Sequence, residues 1–144
     1  MPTLYLMRGL PAAGKSTYSL KLISLRGGNV KRICKDDLRL MLDGSQKYGA
    51  RYLDEAILNY VVDQMAESYL KGLFDVILDE TMVSEGRYES LKLLAEINDW
   101  NVETIVLDTS EEECILRDGV RPNPVGRDVI RSYAEQFRKE GINV

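Results

Sequence analysis

Gly9-Leu10-Pro11-Ala12-Ala13-Gly14-Lys15-Ser16-Thr17 constrains this chain more than any other stretch. It follows Thr3-Leu4-Tyr5-Leu6-Met7-Arg8, short, apolar and rich in strand formers, and leads into Lys15 to Leu25, which holds neither Gly nor Pro. The predicted unit is therefore a strand, a loop of the form G-x-x-x-x-G-K-S, and a helix with Tyr18, Leu22 and Leu25 on its inward face. In such a loop, successive N–H groups converge on a concavity at the positive end of the helix, which favours a polyphosphate. Gly9 and Gly14 are expected where the backbone turns sharply and a Cβ would obstruct the ligand. Lys15 is expected to reach the β- and γ-phosphates, and the Ser16 hydroxyl to ligate Mg²⁺. The expected ligand is a nucleoside triphosphate.

The remainder alternates. Gly27-Gly28-Asn29 closes the first helix, and Val30 to Lys35 reads as a second strand. Asp36 to Leu42 is a short helix with an acidic first turn, ending near Asp43-Gly44. From Ala50 to Lys71 runs the longest helical pattern, with Leu53, Ala56, Ile57, Tyr60, Val61 and Met65 as its expected inward face. Phe74 to Asp79 is an apolar strand ending in acid, as a buried parallel strand should be. Ser84 caps a helix that turns Tyr88, Leu91, Leu94 and Ala95 inward, and Val102 to Leu107 is the fourth strand. Ser110-Glu111-Glu112-Glu113 forms a capping box. Two prolines and two glycines between Arg117 and Arg127 exclude regular structure there, before a last helix carrying Val129, Ile130, Tyr133, Ala134 and Phe137 on one side.

Strands alternating with helices predict an α/β fold: a four-stranded parallel sheet, order 2-3-1-4, with helices on both faces. Right-handed crossovers bring the loops leaving the strand C-termini to one edge, where ligands bind. The P-loop, Lys35-Asp36-Asp37, Asp79-Glu80-Thr81 and Asp108-Thr109 are expected to share that crevice.

The chain of 144 residues is read as one domain, residues 1–144. It has no apolar run near the ~20 residues of a membrane helix, and its N-terminus is itself the first strand, so the expected location is cytoplasmic. With no histidine, any general base is a carboxylate, lysine or tyrosine, and Cys34 and Cys114 cannot form a zinc site. The net charge of −4 argues against a broad nucleic-acid-coating surface. Locally, Lys31, Arg32, Lys35, Arg39, Lys47 and Arg51 stand against Asp36, Asp37 and Asp43, six minus three or +3, which is either an acceptor-binding stretch or a solvated face.

Phosphoryl transfer needs positioning, cations against the developing charge, and somewhere for the acceptor's proton to go. Asp36 is the first candidate for the base; the alternative makes it a first-turn acid on the helix dipole. Asp37 is the better candidate for a cap or surface acid. Arg39, three residues after Asp36, suits an acceptor phosphate. Val76-Ile77-Leu78-Asp79-Glu80 fits the strand and acid that hold magnesium, often through water, with Asp79 and Glu80 both open for that role. The same Asp-Glu pair also suits an ATPase that activates water. Arg117 and Arg121 flank the punctuated segment, which can act as a lid supplying charge when closed. Tyr48 and Tyr52 are either packing residues or stacking platforms for a nucleobase.

Over nearly its whole length the sequence resembles the 5′-kinase domain of phage polynucleotide kinases and the small P-loop kinases around it. The shared features are the loop at Gly9 to Thr17, Lys35-Asp36-Asp37-Leu38-Arg39, Val76 to Thr81, and Arg117-x-x-x-Arg121 before Asp128 to Tyr133. The resemblance implies Asp36 as general base, with Lys15 and Arg121 acting on the transferring phosphoryl group and Arg117 beside them. It implies Arg39, Glu80 and Thr81 at the acceptor, ATP and Mg²⁺ as donor and cofactor, and the 5′-hydroxyl of DNA or RNA as acceptor. It also implies a phage-encoded enzyme acting in the host cytoplasm. Where the family's best-known member has Ser-Asp-Thr, this chain has Asp79-Glu80-Thr81, and it leaves no room for the phosphatase domain of the phage repair enzymes. Related kinases act on small metabolites, nucleosides or hydroxymethylated DNA bases, so those acceptors stand beside a polynucleotide end, and a non-kinase ATPase stands behind both.

Overall fold

A computed structural model describes residues 1–44, 52–82 and 84–144, with the side chains of the third helix described from residue 55. The strands are β1 (Thr3–Arg8), β2 (Val30–Cys34), β3 (Asp75–Asp79) and β4 (Asn101–Val106). They form one parallel sheet in the order β2-β3-β1-β4, as expected. The helices are α1 (Lys15–Arg26), α2 (Lys35–Asp43), α3 (Tyr52–Lys71), α4 (Glu85–Ile97), α5 (Glu111–Gly119) and α6 (Arg127–Lys139).

Strand alternation explains why both sheet faces are covered. Leu4, Leu6, Val76 and Leu78 face one way, packing with Val62, Ala66 and Leu70 of α3 and Leu91 and Ala95 of α4. Tyr5, Met7 and Ile77 face the other way, toward Leu22 and Ile23 of α1. A further cluster joins Leu10 and Ala13 of the loop to Cys114 of α5 and Ile130, Ala134 and Phe137 of α6. The P-loop is thus built on core packing at its base and exposed only at its tip.

Two helix faces differ from expectation. In α1 the buried residues are Lys15 and Ser19, while Leu25 is exposed and Tyr18 partly so. The helix is turned by the demands of its first residue: Lys15 must enter the crevice, and Leu22 with Ile23 then meets the sheet. In α3 the inward stripe is Leu58, Val62, Ala66 and Leu70, whereas Ile57 and Tyr60 are exposed. That helix carries apolar residues nearly all round, so two stripes competed, and the one at strict four-residue spacing is the one in contact with the sheet. Leu53 and the predicted start at Ala50 lie outside the described side chains and residues.

Arg8 closes β1 with a buried charge. It donates to the Met82 carbonyl at 3.1 Å and pairs with Glu140 at 2.6 Å, and its guanidinium carbon lies 4.6 Å from the Tyr88 ring centroid and 5.3 Å from that of Phe137. One residue before the P-loop, it ties that loop's base to the loop after β3 and to the end of α6. A buried cation is tolerated because carboxylate, carbonyl and two aromatic faces replace its water.

Candidate active site

The loop after β1, the start of α2 after β2 and the residues after β3 line one crevice of about 620 Å³, with Arg117 and Arg121 at its rim. The fourth expected segment does not join them. Thr109 lies behind the P-loop, its hydroxyl donating to the Ala13 carbonyl at 3.0 Å. Its part is to hold the loop, a support that residues behind a ligand site often give.

In the P-loop, Pro11, Ala12, Gly14, Lys15, Ser16 and Thr17 face the crevice, whereas Gly9, Leu10 and Ala13 do not. Leu10 and Ala13 are core residues. Gly9 is small for a different reason from the one its sequence position suggested: a Cβ there would come within 3.1 Å of Leu107 Cβ and 3.3 Å of its carbonyl oxygen. Gly14 adopts φ +103°, where a side chain is strained, and it opens α1 without a side-chain cap. Unlike α4 and α5, which Ser84 and Ser110 cap, α1 has no side-chain cap, which leaves its first-turn amides open to a phosphate. Lys15 Nζ donates to the carbonyls of Gly9 at 3.0 Å and Leu10 at 2.7 Å. Burial pushes its pKa down to about 8, although the charges of Asp79 and Asp36 oppose the shift and Arg121 adds to it.

The acids after β3 diverge. Asp79 is buried on the Ser16 side: its Oδ2 accepts from Ser19 Oγ at 3.1 Å and from Arg32 Nε at 2.9 Å, and the same guanidinium reaches to 3.4 Å from Ser16 Oγ. Glu80 points toward α4, where Arg87 grips it at 2.7 and 3.0 Å, with Lys35 at 3.8 Å. Burial opposes the Arg87 charge, but the bonds and charge of Glu80, then those of Asp63, outweigh it and raise its pKa. A magnesium ion fits the hard oxygens of Ser16 and Asp79 only if phosphates and water supply most of its shell, which is how this ion is usually held in such sites. Among the described residues no group of three or more metal-ligating acids, cysteines or histidines occurs.

Across the crevice from the P-loop, Lys35 is the first residue of α2, not the last of β2. Cys34 is the N-cap and contributes no side-chain bond, so Asp36 and Asp37 occupy the first turn as acids near the dipole rather than as caps. Asp36 faces the crevice and accepts from Arg39 Nη1 at 2.8 Å through Oδ1. Asp37 is exposed and paired with Arg32 at 3.0 Å. Arg39 is buried and also bonds Glu55, which in turn bonds Lys35. The basic stretch is therefore not an open patch: Arg32, Lys35 and Arg39 are paired with acids, and Lys31 stacks over the rings of Phe74 and Tyr69. Lys47, Arg51 and Tyr48 lie outside the described residues, and so does the side chain of Tyr52. Thr81 lines the crevice between the two sides.

Arg117 belongs to the last turn of α5, not to the irregular segment, and pairs with Glu113 at 3.0 Å. The segment itself is pinned by Asp118, a buried carboxylate that accepts the N–H groups of Val125 and Gly126, each at 3.0 Å. Arg121 lies 3.6 Å from the same carboxylate.

Sequence reasoning missed Glu55, Asn59 and Arg87, all of which line this crevice, and it missed the pairing of Arg32 with Asp79. A signal for part of this existed: Glu55, Asn59 and Asp63 recur at four-residue spacing as a polar stripe on α3, beside the stripe that enters the core. Arg87 carried no such mark, since an arginine in the first turn of a helix is usually solvated.

The chain belongs to the AAA_33 family, an AAA domain, whose model matches residues 4–140. No curated protein sequence matches it. Among solved structures it is similar to a chain of the Pnkp1/Rnl/Hen1 RNA repair complex, at 24% identity over 99% of this chain and 46% of that one, with a TM-score of 0.79. It is similar to the APS kinase CysC of Mycobacterium tuberculosis at 17% identity over 99% of this chain and 80% of that one (TM-score 0.67). It is also similar to a gluconokinase of Sinorhizobium meliloti 1021, at 16% identity over 99% and 81% (TM-score 0.66). At these identities the likeness is one of fold, that of the P-loop kinases. The chain spans less than half the length of the repair-complex chain it matches. Among the described residues no helix is long and apolar enough to cross a membrane.

Proposed function

We propose that residues 1–144 form one kinase domain that transfers the γ-phosphate of ATP to the 5′-hydroxyl of a DNA or RNA end. The observation carrying this reading is the placement of Asp36, held by Arg39, in the same crevice as Lys15. Lys15 and the open amides of Gly14 to Thr17 bind the donor phosphates, and Lys15 follows the charge onto the transferring group. Asp36 accepts the proton of the attacking hydroxyl. Lys35 and Arg39 hold an acceptor phosphate, and Arg121 with Arg117 places charge over the reacting group. Ser16, with Asp79 through water, would hold magnesium, which would supply charge against the phosphates. The likeness to a chain of an RNA repair complex supports a polynucleotide acceptor.

A small-molecule acceptor is the second reading. The ion-paired cations on the acceptor side favour it, since a long polyanion gains most from an open basic track, and two of the similar structures are an APS kinase and a gluconokinase. The ATPase reading is weakened because Glu80 is tied to Arg87 rather than open to a water near Ser16. Labelled γ-phosphate transfer from ATP to a panel decides among them: a 5′-hydroxyl oligonucleotide, a nucleoside 3′-phosphate, a hydroxymethylated duplex and common metabolites. Labelling of the first two is expected; labelling of metabolites alone moves the assignment to the second reading, and ATP hydrolysis with no acceptor labelled removes both.

The lowered pKa of Lys15 gives a pH signature. Bound phosphates favour the ammonium, so its pKa rises in the complex, and binding above pH 8 takes up a proton. ATP affinity should be level below that pH and fall above it, by up to about tenfold per unit. Calorimetric titration from pH 7 to 9.5 reads it, with Lys15→Met as the control that loses the slope. A level profile in the unaltered protein would remove the claim.

A further inference from the structure

The cations assigned to the acceptor already hold an anion. Glu55 of α3 bridges Lys35 Nζ through one carboxylate oxygen and Arg39 Nη2 through the other. Both cations are nearly buried, and Glu55 is the more exposed partner, reaching in from the crevice wall. Burial raises its pKa, but the Arg39 and Lys35 contacts outweigh that and lower it, so it stays ionised at neutral pH. One turn further along α3, the buried Asn59 Oδ1 has no hydrogen-bond partner among the described residues, and Asn59 also lines the crevice. Lys35, Arg39 and Arg87 stand against Asp36, Glu55 and Glu80, three minus three, so the acceptor half carries no net charge.

We propose that Glu55 is an internal stand-in for the acceptor's phosphate, occupying Lys35 and Arg39 until an anionic acceptor displaces it. This rests on the kinase reading above and names how that site selects its acceptor. A bidentate carboxylate and a phosphate offer the same pair of oxygens to the same two donors, so the exchange conserves hydrogen bonds. The acceptor gains only the difference between the two anions. A neutral hydroxyl compound cannot displace Glu55, and a dianion can. The released carboxylate turns to water, and Asn59 Oδ1 is left to accept from a donor on the incoming molecule. The alternative, that Glu55 merely braces the cations, predicts effects of opposite sign.

Glu55→Gln separates the two. For a nucleoside 3′-phosphate or a 5′-hydroxyl oligonucleotide, KM should fall about tenfold or more, the scale of one charge-assisted bond. For the same nucleoside without phosphate, KM should not fall. A raised or unchanged KM for the phosphorylated acceptor, or an equal fall for both, overturns the proposal. A second measurement needs no turnover: with the P-loop saturated by a non-hydrolysable ATP analogue, inorganic phosphate should bind Glu55→Gln at least about tenfold more tightly than the unaltered chain or Glu55→Asp. Equal phosphate affinity in all three also overturns it. If the unaltered chain labels no nucleic acid, the polynucleotide reading fails, while the phosphate titration still judges Glu55.

Discussion

Asp36→Asn is expected to lower phosphoryl transfer by about 10²- to 10⁴-fold while leaving ATP affinity unchanged. The substitution keeps size and one carbonyl oxygen, so the contact from Arg39 Nη1, 2.8 Å to Oδ1 in the structure, has an acceptor to return to. What disappears is the capacity to take a proton from the attacking hydroxyl. Lys15 senses the Asp36 charge, which places the two in one electrostatic environment without direct contact. Single-turnover transfer and nucleotide binding, measured side by side, give the answer. A loss under about tenfold would fit a loose transition state in which the hydroxyl needs no strong base. Asp36 would then be a residue that orients Arg39, and Arg39→Ala should match it in size.

How far the chain could be read in advance depended on whether a feature was local. The sheet order and the helix caps at Ser84 and Ser110 follow from short-range rules: strand, crossover, capping serine. The P-loop was legible because its two glycines, Lys15 and Ser16 all fall within one short stretch of the chain. Gly9 shows the limit, since its smallness answers to Leu107, nearly a hundred residues away. The crevice wall at α2 was half legible. Asp36 and Arg39 are three residues apart on one helix, and their pairing is a spacing rule. Glu55 and Arg87 come from other helices; the polar stripe of Glu55, Asn59 and Asp63 marks the first only locally, and nothing near Arg87 in the chain marks it. The misjudged face of α3 had a direct consequence here. An inward Ile57 and Tyr60 would turn the stripe of Glu55 and Asn59 to solvent, whereas in the structure Ile57 and Tyr60 are exposed and Glu55 is the counter-anion of Lys35 and Arg39.

Arg117 and Arg121 should not be equal. Arg117 is half exposed on α5, with Glu113 one turn behind it, an arrangement worth little in water and easily solvated when lost. Arg121 stands on the turn that Asp118 folds, and its charge already contributes to the lowered pKa of Lys15. The Asp118 carboxylate spends its oxygens on the Val125 and Gly126 amides, so the segment carrying Arg121 is fixed at both ends before any ligand arrives. An arginine so placed meets transition-state charge at little further ordering cost, and such a residue contributes about 10³- to 10⁵-fold to phosphoryl transfer. Arg121→Ala should therefore lower kcat by about 10³-fold or more, with KM for ATP changed far less, and Arg117→Ala by no more than about tenfold. Arg121→Lys separates charge from shape: an ammonium restores part of the attraction but not the planar fork, so a partial recovery is expected. If Arg117→Ala is the more damaging of the two, the segment must close by a rotation that brings α5 inward, and the fixed turn at Asp118 is then the hinge rather than the platform.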